Sequence, residues 1–585
     1  MQSVRIDYDG EKKRFLVSLP EFNQEAIEHL KLAPERTYND KTKTWVLPST
    51  TKNAAHLQEF IKRSAATVSE PANNCFLRIQ LALASQQAHL KAVAEQNYRK
   101  DAYDGFQPKT EPRKHQIECF NLAKDRDCFA IFFEQGLGKT KSAIDLCEYW
   151  VEQNTIQKII ILCPNFVKLV WKKELALHAK LGMPIYTING SDGFKRYHYL
   201  SLAHKEQRCW IVCNYEELLT SVFPELKYEV ENFKCAIIGD ESTRMKNRVA
   251  KSAKEAVVLS AKCKKILALT GTPVTNNPLD FWMQFKFLGA ELGFATYAAF
   301  QNRYAIMGGF RTPSGQPTQV IKWINLDELK EKVSAFSLRK TKEECLDLPP
   351  KVYQTLDIEL STETKKMYKQ MKDEAAIELQ QEATERAGRV SASNIITKIL
   401  RLSQITGGTL KMEDGTTTRF NAQPKVEAIL TLLEEIEPTH QVIIWARFTE
   451  EIRMLHDKLD EVHITNTMNY GNTKTDDREK NIDDFQAGKT RVFIAQPHAL
   501  GMGVTLTAAS YVIYYSNDFS MEARMQSEDR AHRIGQDKTV VYIELIAKNT
   551  VDKLVKRALE AKQDLAAFIV DNKLNPFSKA YTEEE

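Results

Sequence analysis

From about residue 112 the chain alternates two textures that few folds can accommodate together. Short unbroken apolar runs (CFAIFF, KIIILCP, CWIVCNY, CAIIGDES, KILALTGTP) are separated by stretches with helical spacing. A strand that meets water on one face alternates apolar and polar residues, whereas an unbroken run needs cover on both faces, as in a parallel sheet. Helices between such runs imply right-handed βαβ crossovers. The texture weakens from about 285 to 420, where helices dominate and GGFRTPSGQPTQ and KMEDGTTTRFNAQP read as surface hairpins. It restarts with QVIIWARF, RVFIAQP, YVIYYS and TVVYIELIA. The expected class is α/β: two tandem doubly wound parallel-sheet lobes with helical insertions.

The amino-terminal stretch reads differently. SVRIDYD and RFLVSLP alternate as strands around Asp9-Gly10, a hairpin signal. PEFNQEAIEHLKLA has helical spacing, RTYNDKTKTWVLP suggests a second hairpin and NAAHLQEFIKR a second helix, so a small α+β module is expected. SAATVSEPANN, residues 64–74, reads as a linker. A chain of 585 residues exceeds one core and predicts about three or four folding units. The expected boundaries are a module at 1–70, a helical linker at 71–104, lobes at 105–345 and 421–575 around a helical region at 346–420, and an acidic tail at 576–585.

Net charge is +4, from 81 basic and 77 acidic side chains, so any polyanion site must be a local patch. No run of about 18 apolar residues predicts a membrane span, and the charged start lacks a secretion signal. The ten cysteines contain no C-x-x-C pair, and reduced core thiols are expected. Those features together predict a cytoplasmic protein, nucleoid-associated in a microbe or in the host cytoplasm if viral.

The stretch FFEQGLGKTKSAIDLCEYW, residues 132–150, carries the first chemistry. A phosphate loop of the Gly-x-x-x-x-Gly-Lys-[Ser/Thr] type would have its first glycine where Phe133 stands. What remains, Gly136-x-Gly138-Lys139-Thr140, follows a strand and opens a helix, whose free N–H groups suit phosphate. Lys139 would neutralise the β- and γ-phosphates, and the Thr140 hydroxyl would ligate Mg²⁺. A tight structural turn explains the same residues, and the companions discriminate. CAIIGDEST places Asp240 and Glu241 at the end of a buried strand. Asp240 suits the metal, and Glu241 suits orienting or deprotonating a water; a helix N-cap is the plainer alternative.

The ordered set of segments resembles a Swi/Snf-type DNA translocase of helicase superfamily 2 over roughly 105–570, which implies RecA-like lobes. RKHQ resembles the adenine-reading segment, with Gln116 facing the base. EQGLGKT resembles motif I, ILCPNFVKLVWKKEL motif Ia, VCNYEELL motif Ib, DEST motif II and LTGTPVTNNPLDFW motif III. VIIWARFTEEIRMLHDKL resembles motif IV, ALGMGVTLTAAS motif V and QSEDRAHRIGQ motif VI. The resemblance implies ATP and Mg²⁺ as cofactors, with Arg530 and Arg533 offered to the γ-phosphate, Gly503 near the nucleotide, and Gln526 and Asp529 shaping the same face.

It also implies sequence-independent binding of double-stranded or branched DNA by a monomer, with DNA-bound proteins as displacement targets and DNA repair or replication as the setting. Lys168, Arg244, Lys246, Arg248, Thr272, Arg447, Thr505 and Phe519 are the candidate contacts; a solvated basic face, turn roles for the threonines and a core role for Phe519 are alternatives. Thr243 stands where the family usually carries histidine, and NDFS at 517–520 replaces a family Asp-Trp-Asn-Pro. LAPERTYNDKTKTWVLP, with Tyr38 and Trp45, resembles the HepA-related domain of fork-remodelling members, against which Trp45 in the module's own core is the alternative. A strand-separating helicase, a nucleotide-gated DNA-binding scaffold without turnover and a protein remodeller working without DNA are the competing functions.

Overall fold

The computed structural model describes residues 4–570 apart from 11, 20–22, 65, 95–100, 189–192, 275–276, 291, 295, 312–316, 386–391, 412–415, 422 and 501–503. Gly503 and the acidic tail at 576–585 lie outside the described residues. Backbone packing divides the chain into two compact units. The first holds Met1–Phe133, Gly138–Val274 and Pro278–Arg339; the second holds Glu134–Leu137, Thr275–Asn277 and Lys340–Glu585.

The first unit begins with the α+β module. Its strands are β1 (Arg5–Asp9), β2 (Arg14–Ser18), β3 (Thr37–Asn39), β4 (Thr44–Pro48) and β5 (Thr67–Val68), in the order β3-β4-β2-β1-β5. Asp9 pairs with Arg14, so the first hairpin turns over four residues rather than the two that Asp9-Gly10 suggested. Trp45 packs against the module core, while Tyr38, at 5.1 Å from it, is exposed. The expected linker at 64–74 is instead structural. β5 pairs parallel with β1, and the helix Glu70–Ala94 puts Ala72, Cys75, Phe76 and Ile79 into the module core. Polar residues there sit on the helix's outer face, which is why composition read as a linker.

The lobe that follows contains β6 (Cys128–Phe133), β7 (Lys158–Cys163), β8 (Ile185–Thr187), β9 (Cys209–Asn214), β10 (Cys235–Asp240) and β11 (Lys265–Leu269). An antiparallel hairpin, β12 (Ala305–Arg311) with β13 (Pro317–Trp323), precedes β14 (Ser337–Lys340). The sheet order is β14-β6-β11-β10-β7-β9-β8, with β6 to β11 parallel. The unbroken apolar runs are the central strands; Ile159 to Leu162 are fully buried, and each such side chain contributes about 1.5–3 kcal/mol. Burial pushes the thiols of Cys209, Cys213 and Cys235 up to about 12, which leaves them protonated.

The second unit contains β15 (Lys351–Ile358), a hairpin of β16 (Thr409–Lys411) and β17 (Thr417–Arg419), then β18 (Gln441–Trp445), β19 (Asn466–Asn469), β20 (Val492–Ala495), β21 (Ala509–Tyr514) and β22 (Val540–Ala547). Its parallel sheet runs β15-β22-β21-β18-β20-β19. β15 lies inside the region expected to be helical, 346–420. It is a largely exposed edge strand, so it lacks the apolar run that marks a central one. Both units are thus doubly wound α/β lobes.

Candidate nucleotide site

In the first unit the site grows from strand ends. β6 runs out into the glycine-rich turn, and Gly138, at φ +76, is the N-cap of the helix Lys139–Glu152. Gly136 is also left-handed, at φ +87. Only glycine takes these values without strain, and a Cβ at Gly138 would stand 2.3 Å from Gln116 Nε2. Gln116 Nε2 donates to the Gly138 carbonyl at 3.3 Å, and its Oε1 accepts from Arg113 N at 2.8 Å. The buried Gln116 thus props the loop in this structure. Lys139 Nζ donates to the Phe133 carbonyl at 3.0 Å, the place of the missing first glycine. Thr140 is half-buried on the first turn.

The carboxylates stand at the end of β10. Asp240 is buried; its Oδ2 accepts from Trp171 Nε1 at 2.8 Å and its Oδ1 from Glu241 N at 3.0 Å. Burial pushes its carboxyl up, against the pull of the Trp171 bond, the Lys139 charge and the Glu241 N–H. A carboxylate desolvated to this degree is one that a divalent cation would stabilise. Among the described residues no three His, Cys, Asp or Glu side chains converge as a cation cage. Asp240 and Thr140 therefore fit a Mg²⁺ that brings most of its oxygens from phosphate and water. Glu241 holds a left-handed backbone, φ 48, uncommon outside glycine, and accepts from Thr270 Oγ1 at 3.3 Å. Thr243 Oγ1 is buried without a hydrogen-bond partner.

In the second unit the candidate residues are held by side chains. Arg530 lies on the helix Met521–Ala531, is buried, and donates from Nη2 to the Leu500 carbonyl at 3.0 Å. Burial and the Arg533 charge depress its guanidinium, to about 10. Arg533 is half-exposed. Asp529 accepts from Lys342 Nζ at 2.6 Å, and the same ammonium donates to the His532 carbonyl at 2.5 Å. Gln526 spans a weak 3.4 Å contact to Glu522 on its own helix.

Three further residues, to which no motif assigns a role, hold this region of the second unit together. Gln536 Nε2 is shared among the carbonyls of Thr507, Ala509 and Ala531 at 2.9–3.0 Å. Lys342 pins Asp529, as above. Glu528, buried, accepts from Tyr353 Oη at 2.7 Å, Arg524 Nε at 2.8 Å and Lys351 Nζ at 3.1 Å. Burial alone would push the Glu528 carboxyl up, but Lys351 and Arg524 hold it down at about 2. No local pattern exposes such partners, because Lys351 and Tyr353 lie more than a hundred residues earlier, on β15.

Residues 115–407 match the model of the SNF2-related domain, and 424–535 match the helicase conserved C-terminal domain. The chain belongs to the SNF2-related family. This SNF2-related chain is 29% identical over 467 residues to an uncharacterized ATP-dependent helicase of Mycoplasma genitalium, covering 77% of this chain and 41% of that protein. It is 25% identical over 459 residues to the Drosophila melanogaster SWI/SNF-related matrix-associated actin-dependent regulator of chromatin subfamily A-like protein 1, covering 76% and 54%. The Sulfolobus solfataricus SWI2/SNF2 ATPase core in complex with dsDNA aligns over 82% of this chain and 97% of that one, at 23% identity and a TM-score of 0.38. The chain therefore spans about a third to a half of the length of the curated relatives it matches.

The candidate polyanion contacts of the SNF2-related chain divide by exposure. Arg244 and Arg248 are exposed and Lys246 is half-exposed. Lys168 is corrected: it is buried, with Nζ donating to the Ile188 carbonyl at 2.8 Å. Thr272 is likewise buried, its N–H on Thr270 Oγ1, a turn role. Phe519 packs against Met521, Val551, Val555 and Leu559, the core alternative. Thr505 is half-exposed. Arg447 borders a cavity of about 120 Å³ at the ends of β18, β20 and β21, with Gln496, His498 and Asp518. Its Nη1 is buried without a hydrogen-bond partner. Among the described residues no helix is long and apolar enough to cross a membrane.

Proposed function

We propose that this SNF2-related chain is an ATP-dependent translocase on double-stranded DNA, with Mg²⁺ as its metal. The observation that carries the reading is the buried Asp240 within the field of Lys139, beside a left-handed glycine loop that opens a helix. In this reading the helix-start N–H groups and Lys139 bind the phosphates, while Asp240 and Thr140 hold the metal. When bound, the metal neutralises charge on the phosphate oxygens. Glu241 accepts a proton from, or orients, the attacking water, and its left-handed backbone fixes where the carboxylate points. Arg530 and Arg533 serve as partners of the γ-phosphate, where a guanidinium fork matches the spread negative charge. With Arg530 held on the Leu500 carbonyl, Arg533 is the first of the two to engage and Arg530 anchors its loop.

The same reading assigns Arg244, Lys246, Arg248 and Arg447 to the DNA backbone, without sequence preference. Remodelling of forks or junctions, or displacement of bound proteins, by a cytoplasmic monomer in DNA repair or replication is its finer form. The module at 1–70 would supply junction recognition. Steady-state ATP turnover with and without duplex or forked DNA tests it. The expected result is DNA-stimulated turnover that Lys139→Ala lowers on the order of 10²–10³-fold, with the melting temperature unchanged. Equal turnover in the two proteins, or none added by any DNA, overturns it.

A further inference from the structure

The turn that carries Glu241 is tied twice to the turn that follows β11, residues 270–273. The first tie is direct. Thr270 Oγ1 donates to Glu241 Oε2 at 3.3 Å and accepts from Thr272 N at 3.1 Å. The second runs through Gln284, on the helix Phe281–Leu288. Ser242 Oγ donates to Gln284 Oε1 at 2.8 Å. Gln284 Nε2 in turn donates to the Pro273 carbonyl at 2.9 Å and to the Asp280 carbonyl at 3.2 Å. Joined by the backbone of 241–242 and of 270–273, the two ties close a ring. Ser242, Thr270 and Gln284 are fully buried. Thr243, next in the chain, takes no part, because its buried hydroxyl has no hydrogen-bond partner.

Carbonyl oxygens only accept, so the two carbonyls fix the Gln284 amide with Nε2 toward them and Oε1 toward Ser242. In a dry interior each broken bond leaves a polar group unpaired, so the ring holds as a unit. Its weakest member is the one that reaches Glu241. At 3.3 Å that bond exceeds the usual range of about 2.5–3.0 Å for two oxygens, and a small separation of the turns removes it. The shorter bonds through Gln284 set the spacing of the turns, and with it whether Thr270 reaches the carboxylate. The helix comes close enough to do this because residue 239 is glycine. A Cβ there would stand 2.9 Å from Phe287 Cε1 on the same helix.

We propose that Gln284, held by Ser242, is a positioning residue that sets where the Glu241 carboxylate sits. The proposal rests on the reading of Glu241 as the group that orients or deprotonates the attacking water. Gln284 and Ser242 act on the reaction only through that carboxylate.

The test is ATP turnover by the full chain with duplex DNA, alongside thermal unfolding and calorimetric binding of a non-hydrolysable ATP analogue with Mg²⁺. Gln284→Met keeps the side chain's length and removes its hydrogen bonds. Its kcat should fall about 10²-fold, while the KM for ATP and the affinity for the analogue stay at wild-type values. Ser242→Ala should move kcat in the same direction, and it carries the test should Gln284→Met not fold. The Ser242→Ala, Gln284→Met protein loses donor and acceptor together, so its melting temperature should recover toward wild type while kcat stays low. Recovery of kcat along with the melting temperature means that the ring only supports the fold, and overturns the proposal. Wild-type kcat in both single variants overturns it too. Adding Gln284→Met to Glu241→Gln should slow turnover no further, and losses that multiply would place the action of Gln284 elsewhere. Glu241→Gln alone leaves Ser242 and Gln284 in place, so wild-type turnover in that protein would sink the reading of Glu241 rather than the ring.

Discussion

The two lobes share a topology but hold their candidate residues with different materials. In the first, the backbone makes the geometry: two left-handed glycines, a helix start, and a strand that ends in Asp240. Gln116, Trp171 and Thr270 brace these backbone features from elsewhere in the same unit. In the second, the helix Met521–Ala531 and the loop before it are held by a web of distant side chains, Lys342, Lys351, Tyr353 and Gln536. The contrast teaches that a glycine-rich helix start can be shaped by its own backbone, whereas the helix that carries Arg530 is braced from across a sheet. A free arginine has about 2 kcal/mol of rotamer entropy to lose, and the bond from Arg530 to the Leu500 carbonyl already restricts that side chain.

If that contrast is right, the second lobe should be the more fragile to a single side-chain loss. Glu528→Ala leaves Lys351 and Arg524 without their shared carboxylate, and should cost about 3–5 kcal/mol by denaturant unfolding at neutral pH. The acid limb supplies the sign. The Glu528 carboxyl is lower in the folded chain, about 2, than its ordinary 4.5. Its contribution is therefore fully present above the unfolded value and lost as pH falls toward about 2. The wild-type advantage over the variant should shrink across that window, and a constant gap would show that the web is not electrostatic.

A smaller effect on stability is expected in the first lobe from Gly138→Ala. A left-handed alanine costs about 1–2 kcal/mol, and the methyl group would also displace Gln116 Nε2. Nucleotide affinity, followed by titration calorimetry, should fall further than the unfolding midpoint does. An equal fall in both would mean that the loop is only a turn. The least change should come from Thr243→Val, which removes a buried hydroxyl that has no partner. Stability should stay level or rise by up to about 1 kcal/mol. A loss of DNA-stimulated turnover at unchanged stability would assign that hydroxyl a working role that its packing does not reveal.

Legibility in the sequence followed the same division. The runs at 128–133, 158–163, 209–214, 235–240 and 265–269 became central strands because burial on both faces demands unbroken apolar residues. Strand β15 escaped notice because an edge strand meets water, and 64–74 read as linker because most of its residues do. Lys168, Thr272 and Phe519 had the right chemistry for a nucleic-acid contact. Their side chains point inward, and composition says nothing about direction.

Amino-acid order by itself determined the two α/β lobes, the glycine-rich loop that opens a helix and the acidic strand end. These depend on contacts between near neighbours and on the period of apolar residues, both of which are local. Tertiary structure alone decided that Gln116 props the loop and that Glu528 gathers three cationic or hydroxyl partners. It also decided that Lys52 of the module and Lys332 of the lobe share one ring, Phe294. Those outcomes turn on which surfaces meet after folding, and charge and hydrogen bonding act through space rather than along the chain.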